Sequence, residues 1–339
     1  MRVTTKRIAS TAFALLLVFS GVAAPFMGPA SPVQTAEAAE AGNCSDLDDF
    51  IMFVTLGLVN TDSCSRSAYV NAAIDDMKAS DANQTKVDIY QAGLTSVGNG
   101  ETFNSVYDNY MQDTQSVAWM KMQVALAEAY QNGSTQTASE VDAKEAVKDY
   151  YAQKQMNLLK RYELQTQNFY YLHSTAKSED GISSDFVWAT EEDTKSTSFH
   201  IKSIEKTNTT VTLVNGSTVT IETLKITVEN GSGFTTSTAI SPTGATATSS
   251  DGYGARITSL IIKAPDSNYD RLTYMNQTQV QNRWTNVETQ QSNLNSEVEN
   301  FVNATWTDIE SGQINAYDVI SANPAMFEYG VRSGNESES

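Results

Sequence analysis

The sequence predicts an α+β fold in which a helical N-terminal module precedes two long helices that flank a small inserted antiparallel β domain. Three observations support this prediction. Residues 137–177 and 269–312 carry apolar side chains at helical spacing. In the stretch between them, apolar and polar residues alternate with a period of two. Residues 65–131 again carry apolar side chains at helical spacing. The long helices are expected to pair as an antiparallel hairpin, or alternatively to form a parallel coiled coil between chains.

An export signal is predicted at the N-terminus. Arg2, Lys6 and Arg7 precede an apolar run at residues 12–24, which is shorter than the ~20 residues that span a bilayer as a helix. Small residues at 22–24 and at 36–39 leave two candidate cleavage positions. The predicted boundaries are a signal at 1–39, a helical module at 40–136, a long helix at 137–177, a β-rich domain at 178–266, a second long helix at 267–312 and a tail at 313–339.

The chain is strongly acidic, with a formal net charge of −18. Nucleic-acid phosphates are negatively charged and attract positively charged protein surfaces, so the acidic charge of the chain argues against nucleic-acid binding. The acids are spread along the chain, and Lys is sparse. This composition resembles that of exported haloarchaeal proteins, whose acidic surfaces stay solvated in concentrated salt.

Cys44 and Cys64 are the only cysteines and follow the signal closely. In an exported chain, two cysteines are expected to form one disulfide, whose loop closure stabilises the fold by about 3 kcal/mol in the entropy model. A lipid-modified Cys44 is the alternative interpretation, which the preceding Gly42 and Asn43 fit poorly.

The most apolar stretch after the signal lies between these cysteines, at residues 50–59. It is too short to cross a membrane as a helix. One interpretation is a buried element of the N-terminal core, and the other is a segment able to enter a bilayer. The candidate membrane-contacting residues are Phe50, Ile51, Met52, Phe53, Val54, Leu56, Leu58 and Val59.

Three helical patterns follow, at 68–77, 86–97 and 103–130, with turns predicted at 80–83 and at Gly98-Asn99-Gly100. The third pattern places apolar side chains at helical spacing. These are Val106, Tyr110, Val117, Met120, Val124 and Leu126.

The first long helix is expected to begin at Thr137, because Thr137 to Glu140 match a capping box. Its apolar stripe is Val147, Tyr151, Leu158, Tyr162, Phe169 and Leu172. The second long helix has a heptad-like seam with Gln291 as a polar interruption. The seam is Val280, Trp284, Val287, Leu294, Val298 and Phe301, followed by Thr305 or Trp306.

In the β-rich domain, Asn215-Gly216 between two alternating runs predicts a tight hairpin. Residues 225–229 and 255–262 are predicted as further strands. Residues 231–254 are rich in Thr, Ser and Gly and have no apolar period, so a long surface loop or a poorly ordered edge is expected.

The sequence contains no recognisable catalytic, cofactor-binding or metal-binding pattern, and we predict a non-enzymatic protein. His173 and His200 fit no triad or ligand spacing and are interpreted as packing or surface residues. Acceptor sequences for N-linked glycan agree with export. They are Asn43, Asn83, Asn132, Asn208, Asn215, Asn230, Asn276, Asn303 and Asn335.

The signal, the cysteine pair around an apolar stretch, the long helices and the Thr-rich β region together resemble the N-terminal region of the envelope spike proteins of haloarchaeal pleomorphic viruses (pleolipoviruses) and their proviral relatives. The resemblance rests on layout and implies an exported spike that attaches to a host receptor or membrane and drives fusion. A haloarchaeal surface adhesion module is the alternative. Residues 313–339 contain no span, so either the protein is soluble or the natural chain continues to an anchor.

Overall fold

The computed structural model describes residues 82–195, 198–267, 269–315 and 319. Within these ranges, three helices and seven strands follow one another in the order α1, α2, β1 to β7 and α3. The helices are α1 (Ala82–Gln131), α2 (Gln136–Ser178) and α3 (Gln277–Glu310). The strands are β1 (Val187–Asp193), β2 (Phe199–Thr212), β3 (Thr218–Asn230), β4 (Thr235–Ala239), β5 (Thr246–Thr248), β6 (Gly254–Lys263) and β7 (Arg271–Asn276). The predicted α+β class, with strands inserted between long helices, is confirmed.

The three helices pack side by side as a bundle. A short turn containing Gly133, with a φ of 75°, reverses the chain between α1 and α2. Helix α3 runs antiparallel to α2, since Gln277 contacts Tyr162 near one end and Asn303 contacts Gln136 near the other. The intramolecular antiparallel pairing expected for the two long helices is therefore present.

The apolar stripes predicted for α2 and α3 form the bundle core. Every residue of the α2 stripe is buried, and Trp284, Val287, Leu294, Val298 and Phe301 are buried on α3. Gln291 is also buried, as the predicted polar interruption of the seam. Helix α2 begins slightly earlier than predicted, because the Thr135 hydroxyl caps the helix by accepting from the Ala138 amide.

The predicted turn at Gly98-Asn99-Gly100 is wrong, since α1 continues through it. A Cβ on Gly100 would lie 3.0 Å from Gln165 Nε2 and 3.1 Å from Arg161 Nη2. The glycine thus leaves room for the ends of the Gln165 and Arg161 side chains of α2, and the packing of α1 on α2 outweighs the weak helix propensity of glycine.

Helix α1 carries two apolar faces, and the predicted stripe is mostly the exposed one. Val106, Tyr110, Met120 and Val124 are exposed. The buried face is offset around the helix and consists of Phe103, Tyr107, Met111, Ala118, Met122 and Leu126. Periodicity identifies a helix, but it does not tell which of two stripes faces the neighbouring helices.

The strands form two antiparallel sheets. One has the order β1-β6-β5 with β7 also paired to β6, and the other has the order β2-β3-β4. The predicted hairpin is confirmed: Gly216 has a φ of 83°, and Leu213 N donates to Ser217 O across the turn.

Two predictions in this region are corrected. The expected long loop at 231–254 contains the short edge strands β4 and β5, which pair with β3 and β6. Their Thr-rich sequence lacks an apolar period because edge strands bury little. The helix expected from Tyr269 begins at Gln277, after β7, where Asn276 caps it by accepting from the Gln279 amide.

Candidate functional site

Part of the predicted site lies outside the described residues. Cys44, Cys64, Asn43, Asn335 and the apolar stretch at 50–59 belong to this part, and their roles stay predictions.

The remaining glycan acceptors fall into two groups. Asn83, Asn132, Asn208 and Asn303 are exposed. Asn215, Asn230 and Asn276 are half-buried, and their side-chain oxygens accept backbone amide hydrogen bonds in turns or at the start of α3. The exposed group offers more room for a glycan, so we expect modification there first.

Three connections of the β module meet at one end, which we call the loop end. It comprises the β1–β2 connection at 194–198, the β3–β4 turn at 231–234 and the β5–β6 turn at 249–253, with positions 196 and 197 not described. The pairings Asp193 with Ala255 and Phe199 with Asn230 bring these connections together. Two aromatic side chains are exposed on it: Phe234 is 49% exposed and Tyr253 is 43% exposed.

The β3–β4 turn is held by Asn230. Its Oδ1 atom accepts from Ser232 N at 3.0 Å and from Phe234 N at 2.9 Å. Gly233 adopts a φ of 79°, a conformation that glycine accepts at little cost. The Phe234 ring also packs edge-on against Phe199, with ring centroids 6.5 Å apart. The exposed ring is therefore fixed on a rigid turn.

The β1–β2 connection joins the other two turns. Asp193 accepts from Ser198 N and Phe199 N, both at 2.9 Å, and holds Ser198 at a φ of 51°. Lys195 donates to the Asp251 carbonyl at 2.9 Å, and its ammonium lies 4.6 Å from the centre of the Tyr253 ring. The loop end is thus one connected surface rather than three separate loops.

Sequence reasoning missed this surface, although a signal was present. Asn230-Gly-Ser-Gly and Ser249-Ser-Asp-Gly are both turn sequences, and each is followed directly by an aromatic residue. What the sequence did not provide was the sheet pairing that places the two aromatic residues at the same end.

A buried polar network joins the helices to the β module. Tyr162 donates to Gln277 Oε1 at 3.1 Å, and Gln277 Nε2 donates to the Ser241 carbonyl at 2.6 Å. Burial raises the pKa of the Tyr162 phenol, so the group stays protonated and remains a donor. The network connects α2, the start of α3 and the segment after β4, and so fixes the position of the β module on the bundle.

His173 is a second buried polar contact at this junction. Its Nδ1 atom lies 2.8 Å from the Val187 carbonyl, so Nδ1 carries the proton and donates. The ring lies 5.5 Å from that of Trp188. Burial lowers the pKa of His173 below its ordinary value of 6.5, and the nearby Lys177 lowers it further, although the bond to Val187 opposes this.

This lowered pKa predicts a pH dependence of stability. Below about pH 6.5 the unfolded state binds a proton at His173 that the folded state does not, so the free energy of unfolding is expected to fall as the pH drops towards the folded pKa. His173→Gln should weaken this dependence, as measured by denaturant unfolding at about pH 7.5 and about pH 5.5. His200→Gln, which alters the other and exposed histidine, is the matched control. Equal pH dependence in both variants would contradict the assignment.

No group of three or more His, Cys, Asp or Glu side chains among the described residues is arranged to hold a metal ion. Within the same ranges, no helix combines the length and the apolar character needed for a membrane span. An open groove of about 270 Å³ between α2 and α3 is lined by polar side chains that include Lys144, Lys148 and Glu299.

Comparison with known proteins gives one family and several relatives. The family model described as "Archaeal pleolipovirus envelope fusion protein" matches residues 60–339. The envelope protein of Halorubrum pleomorphic virus 1 is 41% identical over an alignment that covers 100% of this chain and 68% of that protein.

Two solved structures are also similar. The crystal structure of VP5 from Haloarchaeal pleomorphic virus 2 aligns with a TM-score of 0.47 and 18% identity, covering 72% of this chain and 46% of that one. The chain thus spans about half the length of that structure. VP5 from Haloarchaeal pleomorphic virus 6 aligns with a TM-score of 0.45 and 13% identity, covering 74% of this chain and 95% of that one.

Proposed function

Because this chain belongs to the archaeal pleolipovirus envelope fusion protein family, we propose that it acts as an exported spike of a viral or proviral envelope and mediates host attachment and membrane fusion. The family match over residues 60–339 is the observation that carries the proposal. The expected partners are a host membrane or a cell-surface receptor, and the expected location is the virion envelope or the outer face of the cell.

The proposed mechanism is a change in packing. The helical bundle holds the β module at one position, and repacking exposes residues 50–59 to the target membrane. One feature of the bundle supports this. The buried atoms Tyr107 Oη, Trp119 Nε1 and Gln155 Nε2 have no hydrogen-bond partner within the described part of the chain.

Such groups reduce the stability of the resting bundle. A buried polar atom that gives up water without gaining a partner costs about 1–3 kcal/mol. A rearrangement that returns these atoms to water recovers that cost. The bundle is therefore less stable than its apolar stripes alone would make it, and this favours a triggered change in packing.

Three further assignments belong to this proposal. Cys44 and Cys64 form a disulfide that holds residues 50–59 in a closed loop, exposed acceptor asparagines carry glycan, and the long helices contribute to self-association of the spike. Mass spectrometry of the secreted protein with and without reduction, together with its mass in solution, tests all three.

The fusion mechanism is tested by flotation of residues 40–339 with lipid vesicles in molar salt, before and after mild heating. We expect binding only after heating, because heat permits the packing change. Phe50→Asp together with Phe53→Asp should abolish vesicle binding, since two charges oppose insertion of this segment into the bilayer.

A matched control carries the same two charges at exposed apolar sites, as Val141→Asp with Tyr269→Asp, and should bind like the unsubstituted chain. Undiminished vesicle binding by a folded Phe50/Phe53 variant would contradict the proposed fusion mechanism. A chain that stays folded and never floats would instead favour the alternative function, a surface adhesion module that binds through its Thr- and Gly-rich β region.

A further inference from the structure

We propose that residues 320–329 lie across α1 and cover its exposed apolar side chains Val117, Met120 and Val124, which we call the outer stripe. The outer stripe is then an intramolecular docking surface, and its occupant is the continuation of this chain beyond Val319. Residues 320–329 themselves lie outside the described ranges. The inference does not depend on the proposed membrane function.

The outer stripe has no partner among the described elements. Met120 is 58% exposed, Val124 is 40% exposed, and Val117 is half-buried. Steps of three and four residues place these side chains on one face of α1, on the side away from the buried Met122 and Leu126. Within the described ranges, α1 carries six of the ten large apolar side chains that are exposed. Such a concentration on one helix indicates a contact surface.

The described part of the chain ends beside this stripe. Val319 is 2% exposed, and its carbonyl oxygen accepts a hydrogen bond from Gln123 Nε2 at 2.7 Å. Gln123 directly precedes Val124, so the chain continues from a point next to the stripe. The end of α3 is fixed to α1 as well, because Tyr130 Oη donates to the Ile309 carbonyl at 3.0 Å.

The sequence that follows is suited to an apolar surface. Residues 320–329 contain Ile320, Met326 and Phe327, whereas residues 330–339 are mostly polar. Pro324 favours an extended backbone at itself and at the residue before it, so the segment can follow a helix surface without forming a helix of its own. The polar side chains of the segment are those of Ser321, Asn323, Glu328 and Tyr329.

The segment is long enough to cover the stripe. The eight residues from Ile320 to Phe327 can extend over about 26 Å. The stripe from Val117 to Val124 is about 10 Å long, since each residue of a helix adds about 1.5 Å. Met326 and Phe327 can therefore reach every side chain of the outer stripe.

The charges around the stripe agree with this placement. Acidic residues bound it at each end, Asp113 before it and Glu128 after it, and Lys121 flanks its middle; all three are exposed. Glu328 is the only charged residue of the segment 320–329. A segment that crosses the middle of the stripe can place Glu328 beside Lys121 and away from both acids, which lowers the cost of docking.

Two other occupants fit the surface less well. Residues 40–81 join α1 at Ala82, about 53 Å along the helix from Val117. A second copy of the chain must give up translational and rotational freedom when it binds. The segment 320–329 is instead tethered beside the stripe, which gives it a high effective concentration there.

Photo-cross-linking tests the proposal. The experiment uses dilute residues 40–339 that carry the photoreactive amino acid p-benzoylphenylalanine in place of Phe327, as a mixture of unlabelled and isotope-labelled chains. On irradiation the benzophenone inserts into C–H bonds of side chains that it contacts. Mass spectrometry of the digested protein is expected to show a cross-link to the 117–124 part of α1 within one chain.

The same amino acid in place of Tyr269 is the control for position. Tyr269 is 91% exposed and lies in the β6–β7 connection, so it should give no cross-link to 117–124. A cross-link between a labelled and an unlabelled chain at the stripe would mean that a second copy covers it, and would overturn the proposal. Cross-links from position 327 only to other parts of the chain, or none at all, would overturn it too.

A charge placed on the stripe gives a second test. Val124→Asp is expected to lower the yield of the cross-link from position 327 to α1 about tenfold, because covering the segment's docking surface would then bury a carboxylate. Val124 is exposed, so the bundle should still fold, and circular dichroism checks this. Val141→Asp is the matched control, since Val141 is 60% exposed on α2, outside the stripe, and should leave the yield unchanged. An equal yield in the two variants would contradict docking on the outer stripe.

Discussion

Replacing Trp284 with alanine is expected to lower the free energy of unfolding by about 3–5 kcal/mol, which is among the largest effects of a single substitution. Trp284 is 1% exposed and lies on the face of α3 that packs in the bundle. The substitution removes a large apolar side chain from a core that cannot close over the space. It also removes the hydrogen bond from Trp284 Nε1 to Glu288 Oε1 at 2.7 Å.

Denaturant unfolding followed by circular dichroism measures this change. Trp284→Phe, which keeps most of the apolar volume, should cost less than Trp284→Ala. Val141→Ala truncates a side chain that is 60% exposed and should change the free energy of unfolding by no more than about 0.5 kcal/mol. A Trp284→Ala variant as stable as Val141→Ala would mean that α3 is not packed in the bundle as described.

Replacing Gly254 with alanine is the second large expected effect. A Cβ at this position would lie 1.8 Å from the Ala247 carbonyl oxygen and 2.8 Å from its carbon. Both atoms belong to the backbone of β5, so no side-chain rotation can relieve the clash. The β5–β6 pairing must open, and we expect a loss of about 2–4 kcal/mol in the free energy of unfolding.

Gly231→Ala is the matched control, because nothing lies within 4 Å of its Cβ position. It should leave the free energy of unfolding nearly unchanged. Hydrogen exchange locates the effect: faster exchange of the amides in 246–257 is expected in Gly254→Ala alone. Normal protection of those amides in a Gly254→Ala variant would show that β5 and β6 do not approach each other as closely as described.

The sequence predicted the helices well where one side of a helix is apolar. The α2 stripe from Val147 to Leu172 and the α3 seam from Trp284 to Phe301 follow from spacing, although α2 also buries residues outside its stripe, among them Tyr150 and Leu159. Helix α1 was harder, since Val106 and Tyr110 form one stripe and Phe103 and Tyr107 another. Which of them is buried depends on partners far away in the sequence.

The candidate site was less predictable, for a physical reason. Strands β4 and β5 are short edges whose Thr-rich residues gain their backbone hydrogen bonds from β3 and β6, and local composition contains no record of that pairing. Likewise, Phe234 and Tyr253 gain their common surface from the link between Asp193 and Phe199. An alternation of polar and apolar residues reports local burial, but it does not report which turns meet.

The insertion of the whole β module between α2 and α3 has a consequence for the order of folding. Helices α1 and α2 are joined by a short turn, whereas the Tyr162–Gln277 contact spans 115 residues and the Gln136–Asn303 contact spans 167. Contacts that close large loops form late, so the α1–α2 hairpin is expected to form first and α3 to dock last, after the strands have paired. During that interval the hairpin exposes the apolar groove that α3 will fill, and it is then that a newly made chain is most prone to aggregate.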